Sequence, residues 1–157
     1  MDEQDRRHLT QAVDLAEAAL AAGDEPFGSV LVDAAGTVLQ TAVNEAVHRN
    51  ATIHPELTLA QWAGDHLDPG ARAGATVYTS GEHCPMCAAA HAWVGLGRIV
   101  YASSSAQTAR WVTELGGPAS PVAALPITTV APGILVEGPD EELAARVREL
   151  HRRFRER

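Results

Sequence analysis

At 157 residues the chain suits one domain with a full hydrophobic core, and its 46 % apolar and 20 % charged residues exclude disordered, collagen-like and coiled-coil classes. All 12 basic residues are Arg and face 20 Asp plus Glu, for a net charge of -8. Residues 146–157 hold 6 Arg against Glu149 and Glu156, a local +4, so the remainder stands at -12; a body that acidic repels phosphate backbones and disfavours broad nucleic-acid binding.

Residues 5–22 place Leu9, Val13, Ala16 and Leu20 at steps of three or four with Gly23 just beyond, the pattern of an amphipathic helix. GSVLVD, the turn AAG and TVLQTAV (28–43) predict an antiparallel hairpin. His54-Pro55-Glu56 opens LTLAQWAGDH as a helix with Pro in its first turn, where the missing N–H costs nothing. DPGARAG reads as a turn and ATVYT (75–79) as a strand. Cys84-Pro85-Met86-Cys87 opens AAAHAWVGL as a second Pro-led helix, and RIVYA (98–102) reads as a short buried strand.

This alternation predicts an α/β sandwich in which strands 75–79 and 98–102 are parallel and joined by a right-handed helical crossover. Residues 104–114 read as a helix, GGPASPVAALP as a loop, and ITTV with ILVE as the last strand or two. PDEELAARVRELHRRF has acids at its start, Leu143, Val147, Leu150 and Phe154 on one side and Arg at its end, a helix oriented as its dipole favours. No repeat or linker interrupts the chain, so 1–157 is read as a single domain. No apolar run approaches the roughly 18 residues of a bilayer span, and MDEQDRRHLT lacks the layout of a secretory leader; the expectation is a cytoplasmic protein.

Cys84 and Cys87, the only cysteines, suggest metal binding or redox chemistry more than a structural disulfide. With His54 they could furnish two thiolates and an imidazole, the donor set of a catalytic zinc that keeps a fourth position for water. Both sets of donors fall at helix N-termini, where unpaired N–H groups and the dipole favour thiolate and other anions. Glu56, two residues from His54, could take a proton from that water without coordinating. A bare C-x-x-C also serves thioredoxin-like redox sites and four-ligand structural zinc, for which His83, His91 or His48 could supply the fourth donor.

The joint pattern, H-P-E before a helix, a strand, then C-P-M-C before another helix, closely matches the H-x-E and P-C-x-x-C signature of zinc base deaminases, with His83 in place of the Pro. With Pro26-Phe27-Gly28 and Asn44, the chain resembles the cytidine/nucleoside deaminase-like superfamily over nearly its whole length. The resemblance is closest to the branch of guanine deaminases, fungal-type cytosine deaminases and tRNA adenosine deaminases. It implies a three-layer αβα sandwich around a five-stranded mixed sheet, a homodimer, and one zinc held by His54, Cys84 and Cys87. It further implies that Glu56 shuttles protons and Asn44 hydrogen-bonds the substrate ring.

Two positions depart from the family pattern: Pro55 stands where Ala is common, and His83 where Pro usually precedes the first Cys. Pro55 suits a helix start; His83 could contact substrate, act as a hydrogen-bond partner behind the metal, or face solvent.

The reaction implied is hydrolytic deamination of a free nucleobase or similar amino-heterocycle, guanine or a related amino-purine first, without an organic cofactor. Glu114 matches weakly an acidic residue of guanine deaminases and could accept hydrogen bonds from a ring N–H and an amine, though one surface Glu is equally ordinary. Trp93 is a candidate stacking wall, with Trp62 and Trp111 sharing that claim and core packing as the default for all three. Phe27 is a candidate to close the site. The 139–157 helix is a candidate cover for the pocket of its own subunit or a partner's. Cytosine, amino-triazines and nucleosides stay open as substrates, a tRNA deaminase is disfavoured by charge, and a zinc scaffold or a thiol redox protein are the rivals outside this class.

Overall fold

In chain order the elements are α1 Glu3–Ala22, β1 Gly28–Val32, β2 Val38–Val43, α2 Pro55–His66, α3 Pro69–Gly74, β3 Thr76–Gly81, α4 Pro85–Val94, β4 Arg98–Ser103, α5 Ser105–Glu114, α6 Ile127–Val130, β5 Val136–Glu137 and α7 Glu141–Arg155. The computed structural model describes all 157 residues. It forms one five-stranded sheet in the order β2-β1-β3-β4-β5. β1 is antiparallel to β2 and β3, while β3, β4 and β5 are parallel, as strands linked by helical crossovers must be.

Strand pleating sorts the side chains between two helical layers. Val30, Val32, Tyr78, Val100 and Ala102 face one side, where Leu9, Val13 and Ala16 of α1, Trp111 of α5 and Val147 and Leu150 of α7 complete a core. The alternate residues Leu31 and Val77 face Leu59, Ala60 and Ala63 of α2, and Ile99 packs with Ala88 of α4 and Ile127 of α6. The result is the three-layer α/β sandwich with a mixed sheet expected from the sequence.

Local chemistry fixes the ends. Asp2 and Asp5 form a reciprocal capping box at the start of α1, and Gly23 ends it in the left-handed conformation. Gly28 lets α1 lie against β1: a Cβ there would stand 2.5 Å from Leu15 Cβ.

Two readings need correction. ITTV is not a strand but the one-turn helix α6, because the Ile127 N–H is taken by the Glu82 carboxylate and Ile127 is fully buried against α4. DPGARAG contains the short helix α3, capped by Asp68 on Ala71 N and led by Pro69. Of the strand residues expected near the end, only Val136 and Glu137 pair with β4. In the single chain α7 lies with α1 and α5, on the sheet face opposite α2 and α4, so it does not spread over the helices that carry His54 and the cysteines.

Candidate active site

His54 and Cys84 are the N-cap residues of α2 and α4, each followed by Pro at the first helical position. Ser or Asp at such a position would turn back onto the helix amides, but neither His54 nor Cys84 does. Their side chains point at each other instead. His54 Nδ1 stands 3.6 Å from Cys84 Sγ and 3.6 Å from Cys87 Sγ, and the two sulfurs are 3.5 Å apart. A tetrahedral zinc with Zn–S near 2.3 Å and Zn–N near 2.05 Å would set donor separations of about 3.8 Å and about 3.6 Å. The triangle therefore fits that ion, and its soft thiolates with one imidazole suit zinc.

The three side chains shift one another's pKa values. Cys84 falls to about 4, chiefly through its hydrogen bond with Cys87 and then with His54, while Cys87 is pushed up, first by that bond to Cys84 and then by burial. His54 is raised by its bond to Cys84 against the opposing effect of burial.

Glu56, in the first turn of α2, is buried, and burial raises its pKa against the lowering influence of the Thr79 hydrogen bond and the His54 charge. Its Oε1 accepts from Thr79 Oγ1 at 2.8 Å and from Ser29 Oγ at 3.1 Å. Sequence reasoning missed both hydroxyls. The available signal was a Ser and a Thr on the same pleat parity as Leu31 and Val77, the residues that face α2.

Asn44 follows β2 and is buried; its backbone N–H bonds Phe27 O, and its Oδ1 accepts from Ala46 N, which leaves the side-chain NH₂ to donate. Phe27 lies in the same corner, so close to Gly81 that a Cβ there would be 3.0 Å from Phe27 Cε1. The Phe27 ring meets His151 of α7 edge-on at 5.1 Å between centroids, the one aromatic link from the terminal helix to this corner.

His83 does not face solvent. It is 1 % exposed, packs edge-on against His91 at 5.3 Å, and neither of its ring nitrogens has a hydrogen-bond partner; burial, and then the neighbouring His91, hold its pKa well below the usual value. In the single chain Trp93 and Glu114 are not brought together with the His54–Cys84–Cys87 cluster. Trp93 is 88 % exposed, six residues past Cys87 along α4, about 9 Å of helix rise. Glu114 ends α5 on the far layer and pairs with Arg148 of α7 at 3.1 Å. Trp111 is core, and Trp62 stacks on His66.

Glu82 was also missed. Its Oε2 accepts from Ser105 N and its Oε1 from Ile127 N, so one carboxylate two residues before Cys84 anchors the starts of α5 and α6.

A family model described as the cytidine and deoxycytidylate deaminase zinc-binding region matches residues 2–103, from α1 through β4. The chain belongs to this deaminase family. Among its relatives, a probable cytosine deaminase of Schizosaccharomyces pombe is 28 % identical over 125 residues, 78 % of this chain and 74 % of that protein. A tRNA-specific adenosine deaminase of Haemophilus influenzae is 30 % identical over 107 residues, 68 % of this deaminase chain but only 62 % of that protein's length. A solved structure of a variant of the protein NE0047 in complex with 8-azaguanine superimposes with a TM-score of 0.74 at 25 % identity, covering 97 % of this chain and 84 % of the other.

Proposed function

We propose that the protein is a zinc-dependent hydrolytic deaminase of a free amino-heterocycle, with guanine or a related amino-purine as the leading substrate. The observation that carries this reading is the His54–Cys84–Cys87 triangle with the buried Glu56 carboxylate on the same helix turn as His54. In it His54, Cys84 and Cys87 hold one zinc per chain, which when bound supplies the Lewis acidity that lets water act as a nucleophile near neutral pH. Glu56 takes a proton from the attacking water and passes it to the ring nitrogen, then helps protonate the departing amine. The carbon–nitrogen bond breaks, a carbonyl replaces it, and ammonia leaves; nothing is oxidised or reduced. The Asn44 NH₂ donates to the ring, and Phe27 offers an apolar wall at the same corner.

Purine preference is supported by the likeness, over nearly the whole chain, to a structure holding 8-azaguanine. Cytosine is the second reading, supported by the Schizosaccharomyces relative. A tRNA substrate is disfavoured because the arginines of α7 are already paired: Arg146 with Asp14, Arg148 with Glu114, Arg152 with Glu149, Arg153 with Glu17 and Arg155 with Glu25. No helix is long and apolar enough to cross a membrane. A homodimer belongs to the same reading, with the exposed Trp93 as a candidate contact; sedimentation measures it.

The deciding experiment is an ammonia-release screen of the zinc-loaded protein on guanine, adenine, cytosine, their nucleosides, pterins and amino-triazines. Turnover of an amino-purine is expected, and silence on every compound from a zinc-replete protein would end the hydrolase interpretation.

A further inference from the structure

We infer that Ser29 and Thr79 are positioning residues for Glu56, a hydroxyl pair that pins one oxygen of the carboxylate so that the other is presented to the reacting atoms. The inference rests on the deaminase reading and assigns the proton shuttle a support that the metal-binding motifs do not contain.

The pair is built by sheet register. Ser29 of β1 and Thr79 of β3 are direct antiparallel partners, both fully buried, and both on the face toward α2. Their neighbours on that face, Leu31 and Val77, are apolar. A buried hydroxyl costs free energy unless it is bonded, so two of them side by side next to Leu31 and Val77 on this face call for a partner. That partner is Glu56.

Ser29 Oγ and Thr79 Oγ1 are 2.9 Å apart and converge on the same atom, Glu56 Oε1. Each hydroxyl has one proton and a choice of two acceptors: Glu56 Oε1 or Thr79 Oγ1 for Ser29, and Glu56 Oε1 or the Gly81 carbonyl at 2.9 Å for Thr79. The anchoring therefore falls on one side of the carboxylate, and Oε2 is held in place without being engaged by either hydroxyl. A long side chain fixed in one rotamer by groups on rigid strands is the arrangement that keeps a proton-transfer group in its productive geometry. Because the chain leaves β3 at Gly81 and reaches Cys84 three residues later, the strand that orients Glu56 also leads to the first sulfur donor.

The test uses the full-length, zinc-loaded protein and the base that the screen identifies. Thr79→Val keeps shape and removes the hydroxyl; Thr79→Ser keeps the hydroxyl. Thr79→Val is expected to lower kcat by about tenfold or more with KM and zinc content unchanged, and Thr79→Ser to recover most of the loss. Added to Glu56→Gln, Thr79→Val is expected to change nothing further. A zinc-replete Thr79→Val protein with normal kcat, or one that loses the same factor in the Glu56→Gln background, would overturn the inference.

A crystal structure of the zinc-loaded Thr79→Val protein gives a reading independent of turnover. A rotated Glu56 carboxylate supports the assignment, and an unmoved one refutes it. If the native protein deaminates no base, the functional reading fails while this structural arm still decides whether the pair positions Glu56.

Discussion

His54 and Cys84 stand where a helix ordinarily places Ser, Thr, Asp or Asn, and a missing cap costs about 1 kcal/mol per helix. That cost falls on two helix starts that meet at one point. An ion bound by the folded chain and far less by the unfolded one offsets it. Chelation is therefore expected to lower Tm, and Cys87→Ser to lose zinc; calorimetry and metal analysis read both, and an unchanged Tm after complete metal removal would contradict the assignment. For Glu56→Gln the expectation is retained zinc and a rate loss of about 10²- to 10⁴-fold, measured as ammonia release. Full activity in a metal-replete Glu56→Gln protein would remove Glu56 from the mechanism. The His54–Cys84–Cys87 cluster and its neighbour Glu56 were legible in the sequence because H-P-E and C-P-M-C are contiguous. Ser29 and Thr79 were not, because they lie 50 positions apart and meet only through the β1–β3 register.

Between elements, Glu82 is the joint. A carboxylate that accepts from the first amides of α5 and α6 makes two charge-assisted bonds and meets the positive end of the α5 dipole. Glu82→Ala is expected to cost about 2 kcal/mol and to speed hydrogen exchange at Ser105 and Ile127, with zinc retained. Exchange at those amides no faster than in the native protein would deny the joint. The same contact explains why ITTV, β-branched and strand-like, folds as α6: its first N–H is claimed by a side chain 45 positions away and Ile127 is drawn against α4. By contrast α1, α2, α4 and the β1–β2 hairpin announce themselves through periodicity, Pro-led starts and a Gly turn, signals that need no distant partner.

At the scale of the molecule, charge is managed by pairing across layers. Arg98 at the start of β4 clamps Asp5 of α1 at 2.8 and 2.9 Å while Tyr78 donates to the same carboxylate, which holds Asp5 far below its usual pKa. His151 behaves in the opposite sense to a stabilising cation: burial, then the Arg155 charge, depress it to about 4 from an ordinary 6.5. Since the unfolded chain binds that proton more readily, its contribution is fully present above about pH 6.5 and is lost as pH falls toward 4, on the order of 3 kcal/mol. Urea unfolding from pH 7 to 4.5 should show His151→Leu losing less stability than the native chain; parallel slopes would exclude the effect.

The sequence by itself pointed to His54, Cys84 and Cys87 as candidate donors, to the deaminase family and to the elements α1, β1, β2, α2, β3, α4, β4, α5 and α7, because each is written in short contiguous patterns. Only the tertiary structure decided that Trp93 faces solvent, that Glu114 pairs with Arg148, that α7 takes the layer away from the cysteines, and that two strand hydroxyls hold Glu56. Those outcomes depend on which face of the sheet a residue meets and on what lies opposite it, and both are fixed by long-range packing rather than by neighbours along the chain.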